Sequence, residues 1–309
     1  MIVIDRSGTL EVSDGRPVVA TMGNFDGLHV GHQMIMKEVV SRAREIGGLA
    51  AVVTFAPHPI RVMAPERAPK LLLTPTQKIA LIERLGLDLT LILPFSKSLA
   101  AMPPRRFIEE QVLALLNLVE VYVGPEFRFG RRREGDIEVL SEIGREHGFS
   151  AFALTGVEDA GARISASRIR RCLDRGEVSE AARLLGRPYR LTGTIVKGSG
   201  RGHRHLVPTA NLEAENEFIL ARGVYITRMI GKDLDRYGVT NIGVRPTFGE
   251  DRKVIETHLP GFEGKLYGTH VDLEIIHRLR DEKSFASSEA LLEQIRRDLD
   301  DFETWMRAR

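Results

Sequence analysis

His29 and His32 close the run Gly23-Asn-Phe-Asp-Gly-Leu-His-Val-Gly-His32, which follows an apolar stretch, Pro17-Val-Val-Ala20, and opens a helical pattern. A glycine-rich turn between strand and helix exposes backbone N–H groups that bind a polyphosphate. Three residues apart at a helix start, the two imidazoles face one side of such an anion. Gly23 and Gly27, flanking Asn24 and Asp26, let the backbone approach phosphate oxygens, and both histidines can donate to an oxygen that gains charge. Adenylyl transfer needs no protein nucleophile; it needs a straight triphosphate, a neutralised leaving group and an aimed acceptor. Taken alone, the turn also reads as a tight bend with helix-capping histidines.

Two further segments carry chemistry. In Ile164-Ser-Ala-Ser-Arg-Ile-Arg170, Ser165 and Ser167 can cap a helix and aim its backbone donors, and Arg170 adds a planar fork for phosphate. In Val207-Pro-Thr-Ala-Asn-Leu212, the Thr209 hydroxyl and the Asn211 carbonyl oxygen share one face if the segment is extended. Such oxygens suit Mg²⁺ or another divalent cation, which completes its shell with phosphates and water. Alone, this tetrapeptide is a turn more often than a metal site, with Pro208 fixing its backbone. Just before it, Arg201, His203, Arg204 and His205 supply side-chain donors for phosphate.

The elements that must position these residues fall into two textures. The spacing predicts strands over 18–22, 49–55, 89–93, 119–123 and 149–154, and helices over 31–46, 76–85, 104–116, 137–147, 167–174 and 178–185. That alternation implies a parallel sheet with helices on both faces and ligands at the carboxyl ends of its strands. Beyond residue 190, strands over 190–196, 223–230, 237–242, 254–259 and 270–276 follow without helical crossovers, then a helix over 287–306 with Leu291, Ile295, Leu299 and Phe302 on one face. An antiparallel barrel closed by a C-terminal helix is expected, with the boundary at 186–190. The fold class is α/β with two domains, 1–186 and 187–309.

Composition sets the outer limits. With 309 residues, 43% hydrophobic and 28% charged, the chain has the texture of a soluble globular protein, and a formal charge of +2 gives no case for nucleic acid. The single cysteine, Cys172, rules out an internal disulfide and points to a reducing cytoplasm. No apolar stretch approaches membrane-spanning length, so no membrane partner is expected. Arg131-Arg-Arg133 reads as a solvated basic run.

The His29-Val-Gly-His32 signature resembles that of the nucleotidyltransferase superfamily, and the surrounding segment narrows the likeness to bacterial bifunctional riboflavin kinase/FAD synthetases. Val52–Pro59, Val123–Gly130 and Ile164–Arg170 agree in order, as do the 207–212 segment, Gly223–Tyr225, Asn241–Phe248, Glu256–Phe262, Gly264–Gly268 and Arg278–Lys283. The resemblance implies riboflavin, FMN and ATP as small-molecule substrates and at most a weak homo-oligomer. It implies that His29 and His32, with Asn24 nearby, contact ATP phosphates, and that Ser165, Ser167 and Arg170 hold the triphosphate. Phe55, His58, Pro59, Phe127, Arg128 and Phe129 would lie at the flavin and adenine pockets. Thr209 and Asn211 would hold Mg²⁺–ATP, and Glu256 would act as general base on the ribityl 5′-hydroxyl.

The chain departs from the family pattern at Ala166 and Ser167 (usually Ser and Thr), at Glu126 (usually Asp or Asn), and in loop 200–207, where a glycine before Pro208 is missing. A chain with one working module, or a flavin- or nucleotide-binding regulator without turnover, are the alternatives. Retention of His29, His32, Thr209, Asn211 and Glu256 together argues against the regulator.

Overall fold

The computed structural model describes residues 1–5, 15–197, 208–247 and 250–309, in two compact units, Met1–Ser165 and Ala166–Arg309. In the first, β1 (Ile2–Asp5), β2 (Val18–Met22), β3 (Leu49–Ala56), β4 (Leu89–Pro94), β5 (Leu118–Val123) and β6 (Ser150–Ala153) form one sheet in the order β1-β4-β3-β2-β5-β6, with every pairing parallel. The helices are α1 (Val30–Glu45), α2 (Pro59–Met63), α3 (Pro75–Arg84), α4 (Lys97–Ala100), α5 (Pro104–Ile108) and α6 (Ile137–His147). A ribbon of β7 (Glu158–Asp159) and β8 (Ala162–Arg163) follows.

Alternation along the strands sorts the core into two layers. Val18, Ala20, Met22, Ala51 and Val53 pack with Phe107, Ile108, Leu140 and Ile143, whereas Val19, Ala50, Val52 and Tyr122 pack with Ile35, Met36, Val39 and Ile82. The central strands are buried on both faces, as a sheet covered on both sides requires. Local signals set the helix ends: Thr74 and Gln77 make a reciprocal capping box behind Pro75 at α3, and Gly47, in the left-handed region at φ 66°, stops α1. The helix expected over 104–116 is instead α5 followed by one turn of π-helix, Glu109–Leu113.

The second unit opens with α7 (Ala166–Asp174) and α8 (Val178–Leu185), which pack on each other, while α8 also packs on β9 and β14 of the barrel. The barrel strands are β9 (Tyr189–Val196), β10 (Ala210–Ala214), β11 (Gly223–Gly231), β12 (Leu234–Thr247), β13 (Glu250–His258) and β14 (His270–Arg280), closed in the order β10-β13-β12-β11-β14-β9 with antiparallel pairings. At the β9–β10 closure, a Cβ on Gly193 would collide with the Glu213 carbonyl oxygen, so only glycine permits that approach. Inside the barrel, Thr227, Thr240 and Thr257 satisfy one another through hydroxyl contacts of 2.6 and 2.8 Å. The last helix, α9 (Ser288–Arg307), buries Phe302 and brings Trp305 to 5.9 Å from the Tyr237 ring of β12.

Candidate active sites

The turn between β2 and α1 is built against its own backbone preferences. Phe25 and Leu28 hold φ of 50° and 43°, and Gly27 holds 76°. Both non-glycine side chains are buried, and that burial offsets the strain of left-handed backbone. His29 caps α1: its Nδ1 accepts the His32 N–H at 3.4 Å, which puts the neutral ring's proton on Nε2. The two rings stack at 3.7 Å, and the Phe25 edge meets the His32 ring at 5.1 Å. A Cβ at Gly31 would sit 3.3 Å from the His29 ring, which explains the glycine between the histidines.

His32 is held neutral. Burial pushes its pKa well below 6.5, with the charges of His29, Lys78 and Arg163 acting the same way, and among the described residues its buried Nδ1 has no hydrogen-bond partner. Asp26 accepts the Leu72 N–H at 3.0 Å and so ties the turn to the approach to α3. Lys78, which no sequence motif singled out, donates from Nζ to the Asn24 carbonyl and to Thr54 Oγ1, each at 2.6 Å. Gly23 extends the β2–β3 pairing through its N–H to the Val53 carbonyl at 3.0 Å. Together, Lys78 and Arg163 make this turn a cationic cradle at the carboxyl end of the sheet, with the His29 and His32 rings in its wall.

The aromatic residues expected at the flavin form a connected row. Phe55 meets Phe95 edge-on at 5.6 Å and Phe107 at 6.2 Å; Phe107 contacts Phe129 at 5.9 Å, and Phe129 stacks on Phe127 at 5.4 Å. Phe129 is a core side chain, so Phe127 is the more accessible of the pair. His58 caps α2 ahead of Pro59, its Nδ1 accepting from Ile60 N–H at 3.3 Å. Arg128 is paired with Asp136, the cap of α6, and Glu126 with Arg163. The longer Glu126 side chain is thus engaged by a cation.

Ser165 ends the first unit and α7 begins the second, with Ser167 exposed and Arg170 half-buried three residues on. Cys172 is buried in α7 as a free thiol whose pKa burial raises. Arg201 and Arg204 lie outside the described residues.

In the barrel, register makes the site. Asn211 on β10 pairs with Glu256 on β13, Glu256 with Asn241 on β12, Asn241 with Val224 on β11, and Val224 with Arg280 on β14. Residues paired across a sheet share a face, so one rung carries two amides, a carboxylate and a guanidinium on the outer surface. A cavity of about 320 Å³ lies over this rung under α9, lined by Glu256, Asn241, Arg280, Phe285, Leu291 and Asp298. A second, of about 380 Å³, is lined by Pro208, Leu259, Phe262, Lys265 and Tyr267. Thr209 and His258 border both, and the His258 Nδ1 contacts the Pro208 carbonyl at 2.9 Å. The barrel therefore offers two adjoining chambers with Thr209 at the junction and Glu256 in the wall of one.

Arg280 makes a two-pronged pair with Asp298 of α9, Nε and one terminal nitrogen each donating at 2.7 Å, and Gln294 adds a bond to the same carboxylate at 2.9 Å. Asp298 is 4% exposed. Truncating it leaves the largely covered Arg280 guanidinium without its carboxylate, so Asp298→Ala is expected to lower unfolding free energy by about 2 kcal/mol. Denaturant titration checks this; a change under about 1 kcal/mol would show that α9 is held by other contacts. A sequence signal for Asp298 existed: positions 291, 295, 298 and 302 follow the helical apolar period, and an acid in that row needs a buried partner.

The parallel sheet with a cationic turn and the barrel with paired chambers make two modules of different architecture. Family models described as FAD synthetase and riboflavin kinase match residues 12–168 and 185–306. Proteins described as bifunctional riboflavin kinase/FMN adenylyltransferase are similar along nearly the whole length: that of Pseudomonas fluorescens is 37% identical, covering 92% of this chain and 91% of its own, and those of Escherichia coli K12 and Bacillus subtilis 168 are each 34% identical, covering 91% of this chain and 90% of theirs. The chain belongs to the bifunctional riboflavin kinase/FMN adenylyltransferase family. A crystal structure described as a macrolide-efflux protein from Streptococcus pneumoniae superposes with a TM-score of 0.85 at 26% identity, covering 94% of each chain. No described helix here is long and apolar enough to cross a membrane.

Proposed function

We propose that the barrel, within residues 187–309, phosphorylates riboflavin with ATP to give FMN, and that the α/β module, within residues 1–186, transfers AMP from ATP to FMN to give FAD and pyrophosphate. Family membership over both modules supports the pair of activities. The observation that carries the site assignment is the rung Asn211–Glu256–Asn241 where two chambers adjoin at Thr209.

In the barrel, Glu256 accepts the proton of the ribityl 5′-hydroxyl as that oxygen attacks the γ-phosphorus and the bond to the β-phosphate oxygen breaks. Thr209 and Asn211 fit a divalent ion, because both offer hard oxygen donors. Mg²⁺ bound there would neutralise charge on the phosphates. Asn241 lies beside Glu256 in the strand register, and His258 holds the Pro208 carbonyl next to Thr209.

In the α/β module, an FMN phosphate oxygen attacks the α-phosphorus of ATP and pyrophosphate leaves with the former bridging oxygen. His29 and His32, the latter as a neutral donor, meet the phosphate oxygens that gain charge, over a turn whose backbone Gly23 and Gly27 keep accessible. Ser165, Ser167 and Arg170 hold the triphosphate, and the row from Phe55 to Phe127, with His58 and Pro59, receives the isoalloxazine. The protein acts in the cytoplasm, on small molecules alone.

Incubating the protein with MgATP and either riboflavin or FMN, then separating flavins by chromatography, is the direct test. FAD is expected from both substrates. FAD from FMN alone would remove the kinase assignment, and FMN as the end product from riboflavin would remove the adenylyltransferase assignment.

A further inference from the structure

Lys78 belongs to no motif of the family resemblance, yet it joins three parts of the cradle. It lies in α3, whose start is fixed by the Thr74–Gln77 capping box, so its place along the helix is set locally. From there its ammonium spans to the Asn24 carbonyl in the β2–α1 turn and to Thr54 Oγ1 near the carboxyl end of β3, both at 2.6 Å. Thr54 is 2% exposed, and its hydroxyl lies 3.4 Å from the same Asn24 oxygen. Among the described residues Lys78 makes these two hydrogen bonds, which use two of its three N–H donors.

The Asn24 carbonyl is a dipole of the wrong sign for a turn that must face a polyanion, and Lys78 engages it. We propose that Lys78 is a positioning residue for adenylyl transfer: its ammonium holds the Asn24 carbonyl against β3, so that the turn presents N–H groups and imidazoles to the ATP phosphates, and it adds a fixed positive charge beneath them. This rests on the adenylyltransferase reading of the same unit. The charged groups around it agree. Asp26 of the turn favours the ammonium, while burial, and after it the charges of His29, Lys78 and Arg163 on β8, keeps His32 of α1 neutral, as a donor should be. Burial brings the Lys78 pKa down to about 8, against the pull of Asp26. The ammonium is therefore present at neutral pH and lost just above it.

The test uses the full chain with Lys78→Met, which keeps the length and removes the charge, and Lys78→Arg, which keeps a charge that does not titrate. FAD formation from FMN is followed from about pH 6 to about pH 10, with ATP binding measured separately by equilibrium dialysis. Wild type is expected to show an alkaline limb near pH 8 in kcat/KM. The Met variant should lose about a hundredfold in FAD formation and about tenfold in ATP binding, with FMN formation from riboflavin changed less than about twofold. The Arg variant should recover to within about tenfold of wild type, and its alkaline limb should move up by more than about one pH unit.

A Met variant within about threefold of wild type overturns the proposal, as does an Arg variant with an unmoved alkaline limb. Should the Met variant fail to fold by circular dichroism, the Arg variant's pH profile decides. Should wild type form no FAD, the adenylyltransferase reading fails by itself. ATP dialysis then still decides on Lys78: affinity lost with Met and restored with Arg sustains its role, and equal affinity in all three removes it.

Discussion

Glu256→Gln abolishes FMN formation from riboflavin, by about three orders of magnitude in kcat, while conversion of FMN to FAD proceeds at the wild-type rate. The substitution keeps the shape of the rung, because an amide replaces a carboxylate between Asn211 and Asn241 without changing side-chain length. What it removes is the ability to take a proton from an alcohol whose own pKa is far above neutral. Flavin products resolved by chromatography provide the measurement. Equal loss of both activities would contradict separate sites, and an unchanged kinase rate would show that phosphoryl transfer here needs no carboxylate base.

His29→Ala combined with His32→Ala has the mirror effect: FAD formation falls by about a thousandfold and FMN formation is spared. The two losses should not add, because the rings stack and His29 Nδ1 holds the His32 N–H, so either single substitution disturbs the other imidazole. His29→Ala also removes the cap of α1, at a cost of about 1 kcal/mol. Unfolding measured alongside turnover separates that cost from the catalytic one. If both variants kept FAD formation within about tenfold, the backbone of the turn, and not its imidazoles, would be the phosphate donor.

His32 also fixes a sign for stability against pH. In the folded protein burial opposes its charging, whereas in the unfolded chain it takes a proton at the ordinary value of 6.5. As pH falls through 6.5, the unfolded chain gains a proton that the folded one refuses, and stability declines. The double variant lacks that component of the acid limb.

The first unit was legible because its signals are local. Pro17–Ala20 followed by glycines and a histidine at a helix cap encodes strand, turn and helix within 15 residues, and α6 has the bounds that its periodicity predicts. Short or composite elements were less legible. Strand β1 has four residues, too few for a period, and it forms because β4, some 85 residues away, offers a parallel edge. The π-helical turn after α5 was hidden because its apolar spacing continues the α-helical one closely enough to conceal a change of winding. In the barrel, strands β12, β13 and β14 each run past the expected segments, since closure pairs residues that no local alternation marks.

By itself, the sequence marked the strand–helix alternation of the first module, the succession of strands in the second, and the His29 cap with its spacing glycine, because each is a signal of local period or turn chemistry. The tertiary structure decided which distant groups complete the sites. Lys78 reaches Asn24 across 54 residues, Asn241 becomes a neighbour of Glu256 through the register of β12 on β13, and Arg280 finds Asp298 on α9. Hydrophobic period fixes which face a side chain takes, but strand register and helix docking fix whom it meets, and those are set by the packing of the whole unit.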